Sequence, residues 1–123
     1  MSVNIHPTAI VSDGASLGTD VTIGPYCTVG THVTIGDRVT LHSHVVIDGH
    51  TSLGAGGEVF PFAVLCCPPQ HTRYAGEEST LEIGTDCGIR EHVTMHPGTA
   101  IDSMRTRVGN NGLFLVASHI AHD

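Results

Sequence analysis

The sequence predicts an all-β fold: a parallel β-helix in which short strands wind around a three-sided prism. A large aliphatic residue stands at every sixth position, eleven times without a break, and a mostly small residue stands two positions before it. A period of six matches neither an α-helix nor an alternating strand, so it indicates a repeat architecture. The aliphatic positions are Ile5, Val11, Leu17, Ile23, Val29, Ile35, Leu41, Ile47, Leu53, Val59 and Leu65.

Each six-residue unit predicts one short strand and one tight corner, and three units make one coil of the prism. A single unit cannot bury its own aliphatic side chain, so stability must come from coils stacked on one another. Residues eighteen apart, such as Leu17, Ile35 and Leu53, should then lie in one column. Glycine often follows the aliphatic residue, which we interpret as a corner that turns tightly or takes positive φ. The alternative is an antiparallel sandwich with regularly spaced turns, which the unbroken phase disfavours.

The repeat is interrupted twice, and insertions in repeat proteins often form loops on the functional face. We expect residues 66–80 to leave the repeat as a loop, and residues 102–107 to form a short bulge. The predicted architecture is one domain over residues 1–123, with eighteen units in about six coils. The aliphatic positions after the first loop are Ile83, Ile89, Met95, Ile101, Val108, Phe114 and Ile120.

Composition excludes several classes of function. The formal net charge is -7 and all five basic residues are arginine, which argues against a nucleic-acid partner. No apolar run is long enough for a signal peptide or a membrane span. The four cysteines show no CxxC spacing, and Cys27 and Cys87 fall at the small inward position, where we expect core thiols. This usage favours a reducing, cytoplasmic compartment.

The chain has ten histidines, and two of them stand in an apolar context. His119 and His122 lie in the apolar stretch 113–123, and a neutral imidazole there could serve as a general base. Their spacing alone points to metal binding or catalysis without choosing between them. The histidines of the regular units are expected on outer faces or at corners; they are His6, His32, His42, His44 and His50.

Several segments occur together in an order that carries a resemblance to a known family. They are His119-Ile120-Ala121-His122-Asp123, Arg73-Tyr74-Ala75-Gly76-Glu77, and residues 89–99, 6–11 and 43–50. Together they resemble the acyl-carrier-protein-dependent UDP-N-acetylglucosamine O-acyltransferases, which perform the first step of lipid A synthesis. The resemblance covers essentially the whole chain.

The resemblance implies a left-handed parallel β-helix and a homotrimer with active sites in the clefts between subunits. It implies that His122 is the general base, which takes the proton of the sugar 3-hydroxyl as that oxygen attacks the thioester of a 3-hydroxyacyl carrier protein. Asp123 would hold or polarise His122. The partners would be acyl carrier protein and UDP-N-acetylglucosamine, with no cofactor and no metal. The substrate-binding residues implied are Gln70, His71, Arg73, His96 and His119.

Two departures from the family pattern bear on this hypothesis. The family has Asp-Leu-Lys before Tyr-Ala-Gly-Glu, where this chain has His71-Thr72-Arg73. Family members also continue through further coils and a helical domain, whereas this sequence stops at Asp123 within a unit, so we expect an incomplete or inactive form.

Two alternatives stay open. One is a zinc-dependent carbonic anhydrase on the same prism, with three histidines drawn from His92, His96, His119 and His122 around the metal. The other is a non-catalytic scaffold that trimerises or binds carrier protein.

Overall fold

The computed structural model describes residues 3–65, 80–95, 105–115 and 119–120. Within these ranges every regular element is a β-strand, and every pairing between strands is parallel. None of the described residues forms a helix that could cross a bilayer. The strands are β1 (Asn4–Ile5), β2 (Ile10–Val11), β3 (Ser16–Leu17), β4 (Thr22–Ile23), β5 (Thr28–Val29), β6 (Thr34–Ile35), β7 (Thr40–Leu41), β8 (Val46–Ile47), β9 (His50–Leu53), β10 (Glu58–Val59), β11 (Val64–Leu65), β12 (Thr80–Ile83), β13 (Gly88–Ile89), β14 (Thr94–Met95), β15 (Arg105–Val108), β16 (Leu113–Phe114) and β17 (His119–Ile120).

Every third strand belongs to the same sheet, which makes the molecule a three-sided prism. Sheet A has the order β1-β4-β7-β10-β13-β16, sheet B the order β2-β5-β8-β11-β14-β17, and sheet C the order β3-β6-β9-β12-β15. The predicted parallel β-helix is confirmed. The predicted eighteen-residue columns also hold, since Leu17 pairs with Ile35 and Ile35 with Leu53.

The core runs along the prism axis and is built from the repeat residues. In each strand the second residue points inward, while the residue before it, often threonine, points outward. The inward aliphatics and their small partners are almost fully buried, as Ile47 and Val45 illustrate. Ile5, in the first coil, is 43% exposed because it is covered from one side only. Cys27 and Cys87 are free thiols in this core, as predicted.

The corners differ from the sequence-based expectation. The glycines that follow the aliphatic residues do not have positive φ. Positive φ occurs at other corner residues, and most of those are not glycine. Glycine is needed at most of the positions that follow the aliphatic residues because the next coil is too close: a Cβ on Gly54 would lie 2.6 Å from the carbonyl carbon and oxygen of Gly84. The non-glycine residues with positive φ are Asp20, Tyr26, Arg38, His44, Phe62, Asp86, His92 and Asn111.

The strand register locates the first interruption. Leu53 pairs with Ile83, thirty residues on rather than eighteen, so twelve additional residues lie between β11 and β12. Thr80, the last residue of the expected loop, is instead the first residue of β12. The rest of the expected loop, residues 66–79, lies outside the described residues.

The second interruption is not where the sequence placed it. Val108 pairs with Ile83, so Val108 and not Ile101 is the next position in this column. The expected bulge at 102–107 is therefore wrong for residues 105–107, which belong to β15; seven additional residues precede that strand. Ile101, the expected unit in this place, lies outside the described residues, which contain seventeen strands against the eighteen expected units. A six-residue period cannot distinguish an aliphatic residue of an insertion from one of the repeat.

Candidate functional site

Most of the predicted site residues lie outside the part of the chain that the structure describes. These are the predicted base and its partner, His122 and Asp123, and four predicted substrate-binding residues, Gln70, His71, Arg73 and His96. His119 is the predicted site residue that the structure describes. It lies in β17, the strand of sheet B that pairs with β14.

Alternation of side chains places His119 beside Thr94 on the outer surface of sheet B. Met95 and Ile120 are paired across the two strands, with Met95 in the core and Ile120 packed against it. Their preceding residues, Thr94 and His119, are paired as well and point outward. The hydroxyl oxygen of Thr94 lies 2.6 Å from Nδ1 of His119, so the ring is held by a hydrogen bond. Sequence reasoning found His119 but missed Thr94.

The outer surface of sheet B is more apolar than those of the other sheets. On sheet A the outward positions include Thr22, Thr40 and Glu58, and on sheet C they include Thr34 and Glu82. On sheet B the outward column contains aliphatic residues, and Ile10 is 65% exposed. The members of this column, from the first coil to the last, are Ile10, Thr28, Val46, Val64, Thr94 and His119.

A column of stacked rings borders this surface at the corner that leads into sheet B. Tyr26, His44, Phe62 and His92 stack in that order, with ring centroids 5.1, 4.9 and 5.3 Å apart. Tyr26 and Phe62 are 60% and 49% exposed. Phe62 and Val64 point outward on either side of the buried Ala63, so the ring column and the aliphatic column form one continuous surface. We call these two columns together the sheet B outer face.

The remaining histidines of the regular units lie outside the core, as expected. His42 bonds through Nε2 to Oε2 of Glu58 at 2.8 Å and stacks on Phe60. The imidazoles of His32 and His50 stack at 4.4 Å beside a shallow polar groove on sheet C of about 340 Å³. Among the described residues no three His, Cys, Asp or Glu side chains are arranged to hold a metal ion.

Comparison with known proteins gives the class first. The family of bacterial transferase hexapeptides (six repeats) matches residues 14–49. The structure superimposes on a UDP-N-acetylglucosamine O-acyltransferase from Acinetobacter baumannii with a TM-score of 0.95 and 48% identity, covering 97% of this chain and 46% of that one. The fold and the repeat define a hexapeptide-repeat protein with a left-handed parallel β-helix.

Sequence relatives that share one name match nearly the whole chain. The chain is 56% identical over 119 residues to the acyl-(acyl-carrier-protein)–UDP-N-acetylglucosamine O-acyltransferase of Azorhizobium caulinodans, covering 97% of this chain and 44% of that protein. It is 48% identical over 123 residues to the enzyme of the same name from Mesorhizobium japonicum, again covering 44% of that protein. The chain is thus homologous over nearly its whole length to these acyltransferases, and it spans less than half of theirs.

Proposed function

We propose that this chain is part of an acyl-carrier-protein-dependent UDP-N-acetylglucosamine O-acyltransferase. The reaction moves a 3-hydroxyacyl group from acyl carrier protein to the 3-hydroxyl of the sugar, the first step of lipid A synthesis. The observation that carries the proposal is the identity of 48–56% to relatives of that name across nearly the whole chain. It extends to the segment that contains His119 and His122, since the match to the Mesorhizobium enzyme covers 100% of this chain.

The chemistry assigned to His122 follows from the weakness of a sugar hydroxyl as a nucleophile. The imidazole takes the hydroxyl proton while the sugar oxygen forms a bond to the thioester carbonyl carbon. The carbon–sulfur bond then breaks, and the imidazolium returns its proton to the departing thiolate of the carrier protein. Asp123 supports the positive charge on His122 during this cycle.

The proposed substrate-binding residues have chemistry that suits a sugar nucleotide. Arg73 carries a planar guanidinium that can bond to two oxygens of a diphosphate. Gln70 and His71 supply further hydrogen-bonding groups, and His96 and His119 supply imidazoles. His119 is the one whose neighbourhood is described, and it lies at the last described strand of the sheet B outer face.

We further propose a homotrimer in which the sheet B outer face packs against a neighbouring copy, so that the site is completed between subunits. Parallel sheets normally carry apolar residues on both faces only where both faces are covered. Val46 and Val64 are outward-facing aliphatics in sheet B, and the exposed rings of Tyr26 and Phe62 continue the same surface. The free core thiols Cys27 and Cys87 support a reducing, cytoplasmic location for the assembly.

The test of the activity uses two proteins. One is the 123-residue chain; the other is a chimera in which residues 1–123 replace the matching part of the Azorhizobium relative. Each is given 3-hydroxyacyl carrier protein and UDP-N-acetylglucosamine, and acylated sugar nucleotide is measured. We expect turnover by the chimera and little or none by the chain alone. A chimera that binds carrier protein but transfers no acyl group would favour the scaffold hypothesis, and stoichiometric zinc with carbon dioxide hydration would favour the carbonic anhydrase.

The trimer is tested by a charged substitution on the proposed interface. Val64→Glu should convert the trimer to monomers in sedimentation analysis, because an unpaired carboxylate would be buried between subunits. Thr22→Glu is the matched control, since Thr22 holds the equivalent outward and exposed position on sheet A. A Val64→Glu protein that keeps the sedimentation coefficient of the wild type would contradict the assignment of this face.

A further inference from the structure

We propose that Thr94 is a positioning residue that holds His119 in one orientation and in one tautomer, the form with its proton on Nε2. This inference rests on the proposed function, because it concerns how His119 meets the sugar nucleotide. It names a residue that the sequence did not single out, since threonine is the commonest outward residue of this repeat.

The positions of both partners in the Thr94–His119 hydrogen bond are fixed by the strands that carry them. The register Thr94–His119 is set by the inward pair Met95–Ile120, which packs in the core. The hydroxyl of Thr94 and Nδ1 of His119 are 2.6 Å apart, a distance typical of a strong O–H···N hydrogen bond. Threonine is β-branched, so its χ1 angle is restricted and the hydroxyl is held in place. His119 lies on the exposed outer side of β17, where this bond reaches its ring.

The tautomer follows from the direction of this bond. A threonine hydroxyl can donate one proton or accept one, and a neutral imidazole has one nitrogen that donates and one that accepts. We take the hydroxyl as the donor, because 2.6 Å is shorter than the range of about 2.7–3.2 Å for N–H···O bonds. When the hydroxyl donates to Nδ1, the ring proton must sit on Nε2. His119 then offers its substrate an N–H donor, which suits a phosphate, carbonyl or sugar oxygen. The partner of one ring nitrogen thus decides what the other presents.

The first measurement reads the tautomer directly. Histidine side chains of the chain are labelled with ¹⁵N, and long-range ¹H–¹⁵N spectra are recorded at about pH 8, where an ordinary imidazole is neutral. The His119→Gln spectrum identifies the resonances of His119. We expect unprotonated Nδ1 and protonated Nε2 in the wild type, the same pattern in Thr94→Ser, and mixed tautomers in Thr94→Val. Thr22→Val, the same change on sheet A, should leave the His119 pattern as in the wild type.

The second measurement links the bond to the reaction in the chimera. Thr94→Val should lower kcat/KM by about 2- to 10-fold, the effect of one net hydrogen bond, with most of the change in KM for the sugar nucleotide. Thr94→Ser should restore most of it. A wild-type ring protonated on Nδ1, or a Thr94→Val ring that keeps the wild-type pattern, would overturn the inference. A chimera without activity would defeat the proposed function while the spectra still decide the role of Thr94.

Discussion

Replacing Gly54 and Gly109 by alanine should change stability in opposite directions, although the two glycines occupy equivalent positions in the repeat. An alanine Cβ at position 54 would lie 2.6 Å from the carbonyl carbon and oxygen of Gly84 and 2.8 Å from the amide nitrogen of Thr85. These are backbone atoms, so no side chain can rotate away. A Cβ at Gly109 has no heavy atom of the described residues within 4 Å.

The magnitude follows from the distance that has to open. Ordinary contact begins near 3.4 Å, so the two coils must separate locally by about 0.8 Å. That shift would stretch the 2.9 Å bond from Gly54 N to Ile83 O beyond useful length. Overpacking costs about 1–3 kcal/mol and the lost hydrogen bond about 1 kcal/mol, while the less flexible unfolded chain returns about 0.4–1 kcal/mol. We expect Gly54→Ala to destabilise by about 1–3 kcal/mol and Gly109→Ala to stabilise by up to about 1 kcal/mol.

The assay is urea unfolding followed by far-ultraviolet circular dichroism, with hydrogen exchange to locate the effect. In a repeat protein the loss should concentrate in the coils that contain Gly54 and Gly84. The reasoning would be refuted by Gly54→Ala unfolding at the wild-type urea concentration, or by equal destabilisation in the two variants. Either result would mean that the glycines serve the corner's own conformation and not the approach of the next coil.

Four further predictions concern core packing, ring stacking, the Cys27 thiol and the proposed base. Ile47→Ala should lower the free energy of unfolding in urea by about 2–5 kcal/mol, because Ile47 is fully buried. Phe62→Ala should lower it by about 1–3 kcal/mol through the loss of two ring contacts. Burial raises the pKa of the Cys27 thiol above its ordinary value of 9.0. The contribution of the protonated thiol to stability is therefore present below pH 9.0, and it is lost as the pH rises toward the pKa of the thiol in the folded state. The urea midpoint of the wild type should therefore fall more steeply above pH 9 than that of Cys27→Ala, and parallel curves would contradict this account. In the chimera, His122→Ala should reduce the acyl-transfer rate by about 100- to 10,000-fold and His119→Ala by less.

The core could be predicted from the sequence because each aliphatic position meets the same geometric requirement, which is to place a side chain inside the prism. Burial inside a narrow prism selects Ile23, Leu41 and Val59 at one spacing, and the columns follow from that spacing alone. The left-handed corners could not be predicted. Tyr26 and Phe62 are residues that disfavour positive φ, yet they adopt it at corners where residues without rings, such as Arg38, adopt it too. The corner of the coil, and not the type of side chain, therefore sets this conformation.

The candidate site shows a different kind of limit. His119 was found from its motif, but its partner Thr94 depends on the register across the second interruption. An eighteen-residue period would place Gly112 over Thr94, whereas the seven additional residues bring His119 to that position. Only the structure gives this seven-residue offset, since the sequence of residues 96–104 does not show how many residues are additional to the repeat.

The register of the strands also bears on how the chain folds. Each strand pairs with a partner eighteen, twenty-five or thirty residues away, so no ladder requires the closure of a long loop. Lengthening a closed loop from eighteen to thirty residues adds only about 0.5 kcal/mol of entropy cost. Folding can therefore begin at any coil and proceed to its neighbours at nearly constant cost, including across both interruptions. The prism thus accepts both insertions, which follow strands of sheet B and precede strands of sheet C, at little entropic cost to its own assembly.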